Sequence, residues 1–327
     1  MKLKRWVLGF LAVVLVALPV FAGGEGEEQA VAEKKYVYAV ISKGFMHEFW
    51  LTVKKGCDTA AKELGVFATF EGPATEAEVA AQIAMVENAI TRRVDGILLA
   101  ALDKKALVPV MEKAKAAGIP IVMFDSGADA EYLTLVATDN RAAAARAADY
   151  LAELIGGEGK VGVIVHDATS QTGIDRRDGF LDRIKEKYPK IQVVNVVYGG
   201  GDHAKSQDLI MDMVRSNPDL KGIFAANEGS AVGAALALEA LGAAGRIKLV
   251  GYDTSEKELE FLKKGVIQGM MAQNPFNMGY LGLKILHEYV ISGKKPESTF
   301  IDTGATLITA ENLETPEVQR LLYPFKE

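Results

Sequence analysis

The chain has 327 residues, 49% of them hydrophobic and 24% charged, an ordinary globular balance with length enough for two domains. A formal net charge of −6 gives no basic footprint for nucleic acid or an anionic membrane surface. The one cysteine, Cys57, excludes an internal disulfide.

The first residues follow a different logic. Lys2, Lys4 and Arg5 form a positive head, an apolar run extends from Trp6 to Phe21, and Val20–Ala22 ends in a small residue before "GGEGEE". This layout predicts a secretory signal peptide over residues 1–22, cleaved after Ala22. A membrane anchor fits less well: Gly9 and Pro19 interrupt the run, which is shorter than the ~20 apolar residues a spanning helix needs. No cysteine lies near the cleavage point to carry a lipid. An exported chain without an anchor is expected in the periplasm of a double-membraned bacterium. Residues 23–35 lack periodicity and read as a flexible leader.

From Tyr36 onward, short apolar runs alternate with amphipathic segments. In chain order the runs are "YVYAVIS", "VFATF", "VDGILLAAL", "IPIVMF", "YLTLVAT", "KVGVIVH", "IQVVNVVY", "LKGIFAA", "IKLVGY" and "QGMMAQ". The segments between most of them have helical length; Val79, Ile83, Val86 and Ile90, for example, share one helix face. After the first run comes "FMHEFW", residues Phe45–Trp50. Phe49 begins a stripe with Val53, Cys57, Ala60 and Leu64, which assigns Cys57 and much of the Phe49 ring to the core. Trp50 lies about 100° off that stripe and is the better candidate to stack on a ligand. Fully apolar strands alternating with helices imply parallel sheets covered on both faces. There are too many units for one compact sheet, and a break near Asp139–Asn140 divides them into two comparable sets. The expected fold is therefore α/β, with two doubly wound parallel-sheet lobes.

In an open parallel sheet, ligands bind outside the carboxyl ends of the strands. The apolar runs there end in Asp125-Ser126, Asn227-Glu228, Asp253, Gln273-Asn274, Asp103 and Asp167. Asp103 and Asp167 are expected to serve as caps or turns. Asp125 and Asp253 stay open between capping and ligand contact, because Ser126, and Thr254 or Ser255, could cap in their place. "TGIDRRDGF" opens the helix after "KVGVIVHD" and puts Arg176 near the strand edge with Phe180 on the same face. Arg177 falls on the solvated side. A surface pair with Asp175 or Asp178 is the alternative role for Arg176. Carboxylates accept hydrogen bonds from hydroxyls, amides donate and accept, and arginine donates in a fixed fork. Together with aromatic faces, this set suits a neutral polyhydroxylated ligand better than a strong anion.

Competing chemistries find little support. Gly157-x-Gly159-x-x-Gly162 closes a helix and enters a strand, the reverse of a dinucleotide fingerprint. The glycines of "GGGDH", Gly199–His203, suit a turn. The four histidines, His47, His166, His203 and His287, have no metal-ligand spacing. There is no Gly-x-Ser-x-Gly elbow; a spatial group of Ser126, His166 and Asp167 stays open. Asp125 and Asp253 carry no sign of the pKa split a glycosidase pair requires. Neither catalysis nor a metal or cofactor is expected.

"EFWLTVKKG", "IPIVMFDS", "ATDN", "RRDGF", "FAANE", "LVGYD" and "MMAQNP" resemble, in order and spacing, the ribose-binding-protein type of periplasmic sugar-binding protein, the solute receptors of ABC importers. The similarity runs from Tyr36 to Leu313. It implies the type I periplasmic binding fold, its lobes joined by a three-segment hinge near Asp139–Asn140, Gln273–Asn274 and Thr303–Thr306. The N-terminal lobe would be 36–139 plus 274–303, and the C-terminal lobe 140–273 plus 304–327. It further implies ligand contacts at Phe49, Trp50, Asp125, Arg176, Asn227, Asp253 and Gln273. A monomer would close on a monosaccharide and deliver it to an ABC transporter membrane permease. Four departures are informative. His47-Glu48 stand where ribose binders have Asn-Pro, Ser126 where they have arginine, Ala100 or Ala101 where they have asparagine, and Gly201 where they have an aromatic. These differences remove polar contacts and add space, so another pentose, a hexose or a related polyol is expected, with His47 and Ser126 placed to discriminate it. A furanosyl signal molecule or a chemotaxis ligand is the alternative.

Overall fold

The computed structural model describes residues 35–323; the expected signal peptide and all of the leader but Lys35 lie outside them. The chain begins with β1 (Val37–Ile41), α1 (Glu48–Leu64), β2 (Phe67–Glu71), α2 (Val79–Thr91), β3 (Gly96–Leu99), α3 (Val108–Ala116), β4 (Ile121–Phe124) and β5 (Leu135–Ala137). A second series follows: α4 (Asn140–Leu154), β6 (Gly159–Val165), α5 (Gln171–Lys187), β7 (Ile191–Tyr198), α6 (His203–Ser216), β8 (Leu220–Ala225), α7 (Glu228–Ala240), β9 (Lys248–Tyr252), α8 (Glu256–Lys263) and β10 (Gly269–Gln273). The chain ends with α9 (Pro275–Ser292), β11 (Phe300–Asp302), β12 (Ala305–Thr309) and α10 (Pro316–Leu322).

Among the described residues the strands form two six-stranded sheets, ordered β2-β1-β3-β4-β5-β11 and β7-β6-β8-β9-β10-β12. All pairings are parallel except β10 with β12. The central strands β3 and β4 are buried at every residue, as strands covered by helices on both faces must be. The chain passes from the first sheet to the second after β5, returns after β10, and crosses again between β11 and β12. In both sheets the strand order reverses beside the leading strand, β1 or β6. That reversal opens a crevice at the carboxyl ends, and the two crevices face each other.

Helix α9 re-enters the first lobe and packs on α1 at backbone contact. A Cβ on Gly56 would lie 2.1 Å from the Phe276 carbonyl oxygen, and one on Gly279 would lie 2.3 Å from that of Val53. Only glycine fits at either position.

The structure corrects three local expectations. The buried line of α1 is Trp50, Val53, Gly56, Cys57 and Ala60, with Phe49 only half-buried. Trp50 therefore belongs to the core side of the helix; it stands seven residues, nearly two full turns, before Cys57. In α2 the fully buried positions are Gln82, Val86 and Ala89, while Val79, Ile83 and Ile90 are half-buried. Gln82 is held in the interior by hydrogen bonds: its amide nitrogen donates to the carbonyls of Ser42 (2.9 Å) and Ala100 (2.8 Å), and its oxygen accepts from the Leu102 amide (2.9 Å). It thus fixes the carboxyl ends of β1 and β3, where the crevice opens. Strands β11 and β12 were absent from the apolar runs because, at the sheet edges, they are largely half-exposed.

Candidate functional site

Between the lobes, at the opposed strand ends, lies a small polar cavity. The first lobe lines it with Lys43, His47, Phe49, Trp50, Glu76 and Asp125; the second contributes His166, Arg176, Asn227, Asp253 and Gln273. All the expected contact residues except Ser126 are on this wall. Ser126 is buried one residue further on, its hydroxyl without a hydrogen-bond partner, and is not among the residues lining the cavity.

Asp125 and Asp253 follow the last residues of β4 and β9, and both have left-handed backbone, with φ of 54° and 82°. Such a conformation costs a non-glycine residue about 1–3 kcal/mol, and clusters where function requires it. Neither residue caps a helix. Ser255 caps α8 through a capping box with Glu258, and no helix separates Asp125 from β5. Asp253 accepts from the Glu228 amide (3.0 Å) and from the Gln273 side-chain nitrogen (2.6 Å). Asp125 has one Oδ2 contact with the Lys43 ammonium at 3.5 Å, and that oxygen has no hydrogen bond. Burial raises the Asp125 pKa; the Lys43 and Arg176 charges oppose this without cancelling it.

Arg176 is 3% exposed, so it forms no surface pair. Its Nε donates to Asn140 Oδ1 (2.7 Å), its Nη1 to the Ala226 carbonyl (2.9 Å), and its guanidinium lies 3.9 Å over the Tyr252 ring. Arg177 is half-buried, bonded to Asp178 (2.7 Å) and Tyr198 (3.2 Å). Asn227 is the N-cap of α7, its oxygen accepting from the Ser230 amide. Gln273 ends β10 with its side-chain oxygen buried and without a hydrogen bond. Asp103 and Asp167 accept from backbone amides two and three residues ahead. Both are turn residues: Ser170 is the N-cap of α5, and α3 begins only at Val108.

On the first lobe, Trp50 is buried with its Nε1 donating to Glu76 Oε1 at 2.8 Å, edge-on to Phe49 and Phe124. Burial would push the Lys43 pKa down, yet the carboxylates of Asp125, Glu76 and Asp167 hold it above its ordinary value. Burial would likewise raise Glu76, but Lys43, His47, His166 and the Trp50 hydrogen bond hold it down. The wall therefore carries two fixed cations, Lys43 and Arg176, against three carboxylates, Glu76, Asp125 and Asp253. His166 bonds Thr172 (3.1 Å) and Ser170 (3.3 Å) through Nε2. Ser126 is not among its hydrogen-bond partners, so no Ser126–His166–Asp167 relay forms.

The lobes touch around the cavity. Lys43 Nζ donates to Thr172 Oγ1 (3.1 Å), the Glu48 amide to Glu228 Oε2 (3.0 Å), and the Lys104 amide to the Thr169 carbonyl (3.2 Å). Sequence reasoning passed over Lys43 and Glu76 on this wall, and did not count His166 as a contact. The strand-end rule that found Asp125 pointed to them too, since Lys43 follows β1 by two residues and Glu76 lies in the loop after β2.

Two lobes, three chain crossings and a polar cavity at opposed strand ends define a solute-binding clamp. Residues 38–295 match the model of the periplasmic binding protein domain family, and the chain belongs to that family. It is 31% identical to the D-ribose/D-allose-binding protein of Pseudomonas aeruginosa, over 91% of this chain and 96% of that one. It is 28% identical to the D-allose-binding periplasmic protein of Escherichia coli, over 92% and 98%. An ABC transporter solute-binding protein of Agrobacterium vitis with bound D-fucose superposes with a TM-score of 0.85 at 40% identity, covering 88% of this chain and 100% of that one.

Proposed function

We propose that the protein is a periplasmic receptor that captures one neutral monosaccharide, a pentose or hexose, by closure of its lobes and delivers it to the membrane permease of an ABC importer. The observation that carries this reading is the set of buried acceptors left without hydrogen bonds at the cavity: Asp125 Oδ2 and Gln273 Oε1. Buried polar atoms are rarely unpaired, and acceptors of this kind are completed by donors. Ligand hydroxyls supply donors without adding charge. A ligand carboxylate or phosphate would supply acceptors instead, and would meet three carboxylates against two cations.

In this reading Asp125, Asp253 and Gln273 accept from hydroxyls, while Arg176, through its free Nη2, and Asn227, through its amide nitrogen, donate to ring and hydroxyl oxygens. Phe49 and Trp50 present aromatic surface to the C–H face of the ring. His47 sets which hydroxyl pattern is accepted. The hinge is assigned to Asp139–Asn140, Gln273–Asn274 and Thr303–Thr306, with lobes 36–139 plus 274–303 and 140–273 plus 304–327. Contacts from both lobes supply the differential affinity that favours the closed state. The named sugars of the relatives, D-ribose, D-allose and D-fucose, form the first test panel.

Calorimetry of the purified protein against D-ribose, D-allose, D-fucose and D-arabinose, with uronates as anionic controls, tests the proposal. One neutral sugar should bind at one equivalent and the uronates should not. Binding of uronates alone, or of no sugar in the panel or in the mass spectrum of ligand released on denaturation, overturns it.

A further inference from the structure

We infer that the protein binds a divalent transition-metal ion, zinc by preference, between its lobes through His47, His203 and Glu228. His47 precedes α1 at the N-cap position without capping it. His203 and Glu228 are the first residues of α6 and α7 in the other lobe. One nitrogen from each imidazole and one Glu228 oxygen lie within 4.8 Å of one another, and His47 Nδ1 is already 3.6 Å from Glu228 Oε1. Zinc–nitrogen bonds of about 2.0–2.1 Å in a tetrahedron put neighbouring ligand atoms roughly 3.3 Å apart. The His47 Nδ1–Glu228 Oε1 separation is thus already near that length.

The second observation is the state of the rings. Both nitrogens of His47 and the Nε2 of His203 are buried without a hydrogen-bond partner. The two imidazoles face each other with centroids 6.0 Å apart. An imidazole always offers two nitrogens to be satisfied, and buried polar groups are seldom left unpaired. A metal ion shared by the two rings and the carboxylate would take one nitrogen from each imidazole and so satisfy two of these three nitrogens. Glu228 already has the orientation of a ligand, because its Oε2 accepts from the Glu48 amide at 3.0 Å. That bond leaves Oε1 toward His47, the outer-shell arrangement that fixes a ligating carboxylate. Gly201 borders the site, and a Cβ there would come within 3.3 Å of His47 Nε2. Two nitrogens and one oxygen suit zinc, cobalt or nickel; magnesium and calcium prefer oxygen alone. Three protein ligands leave one tetrahedral position for water.

The inference shares His47 with the sugar reading, and its test uses metal alone, without sugar. Tag-free protein, stripped with chelator and sugar-free, is titrated calorimetrically with zinc and followed spectroscopically with cobalt. One equivalent should bind, cobalt giving a tetrahedral visible spectrum. His47→Ala on one lobe, and His203→Ala or Glu228→Gln on the other, should each weaken zinc by at least the roughly 100-fold reached on losing an outer-shell partner. Metal-free melting and circular dichroism establish that each variant is folded, and the second lobe supplies two variants in case one is not. Absence of a stoichiometric zinc or cobalt complex, or unchanged zinc affinity in folded variants, overturns the inference, even if sugar binds as proposed.

Discussion

Asp125 in the first lobe and Asp253 in the second stand at equivalent places, each just past a buried strand and each in left-handed backbone. Their side chains differ. Asp253 is held by the Glu228 amide and by Gln273, and its neighbour Arg176 is held by Asn140, Ala226 and Tyr252. Asp125 has only an ion contact with Lys43, and Lys43 makes its hydrogen bond across the gap, to Thr172. The second lobe thus holds Asp253 and Arg176 within its own fold. The first lobe carries a half-site completed by what lies opposite.

The largest effect that separates the two halves belongs to Arg176. Arg176→Ala removes the guanidinium bond to the Ala226 carbonyl, leaves Asn140 Oδ1 with the Tyr252 hydroxyl alone, and removes the cation from beside buried carboxylates. Breaking a buried charged set from one side costs about 3–5 kcal/mol. Urea denaturation should show that loss in the absence of sugar, and binding should be lost as well. Asp125→Asn is the counterpart. Asparagine tolerates left-handed backbone, so stability should change little, while loss of a charge-assisted hydrogen bond worth about 1.5–3 kcal/mol should weaken sugar binding some 10- to 100-fold. Equal stability losses in the two variants would break the comparison between a built half and a waiting half.

How far this division could be read in advance varies by element. The central strands were legible because burial on both faces demands unbroken apolar runs; "IVMF" needs no context to be read as β4. The edge strands β11 and β12 were not, because a half-exposed strand keeps no such pattern. Among site residues, those placed directly at strand ends, Asp125, Asp253 and Gln273, were found by one rule about open sheets. Lys43 and Glu76 obey the same rule at one remove, in loops whose course only the fold determines. His203 and Glu228 come beside His47 from 156 and 181 positions away in the chain, and no spacing rule reaches so far.

Trp50 marks the boundary between core and site. Its ring packs with Phe124 inside the first lobe, yet its Nε1 holds Glu76 on the cavity wall. Trp50→Phe keeps the packing and removes the donor. Loss of a hydrogen bond to this half-buried carboxylate costs about 0.5–1.5 kcal/mol, and thermal melting should show it. The same melting curve as the unsubstituted protein would mean that Lys43 alone anchors Glu76, and that the first half-site is less finished still.

The smallest effect concerns acid. His166 sits on the second lobe's wall, and its folded pKa is well below the ordinary value. Burial is the first cause; the Lys43 and Arg176 cations reinforce it, and Asp167 and Glu76 only partly oppose it. One of those cations comes from each lobe. Below about pH 6.5 the unfolded chain binds a proton at this histidine that the folded protein refuses. Stability due to neutral His166 is therefore present above that pH and lost as pH falls, with a limiting slope of about 1.4 kcal/mol per unit. Glu258, whose pKa is raised well above normal by burial and by Asp253 and Glu228, pulls the other way but is common to both proteins in a mutant comparison. His166→Asn should thus flatten the decline in stability between pH 6.5 and 5 relative to the unsubstituted protein, measured by urea denaturation at each pH. Parallel profiles would show that His166 takes its proton without resistance, and that Lys43 and Arg176 do not hold their charge against it.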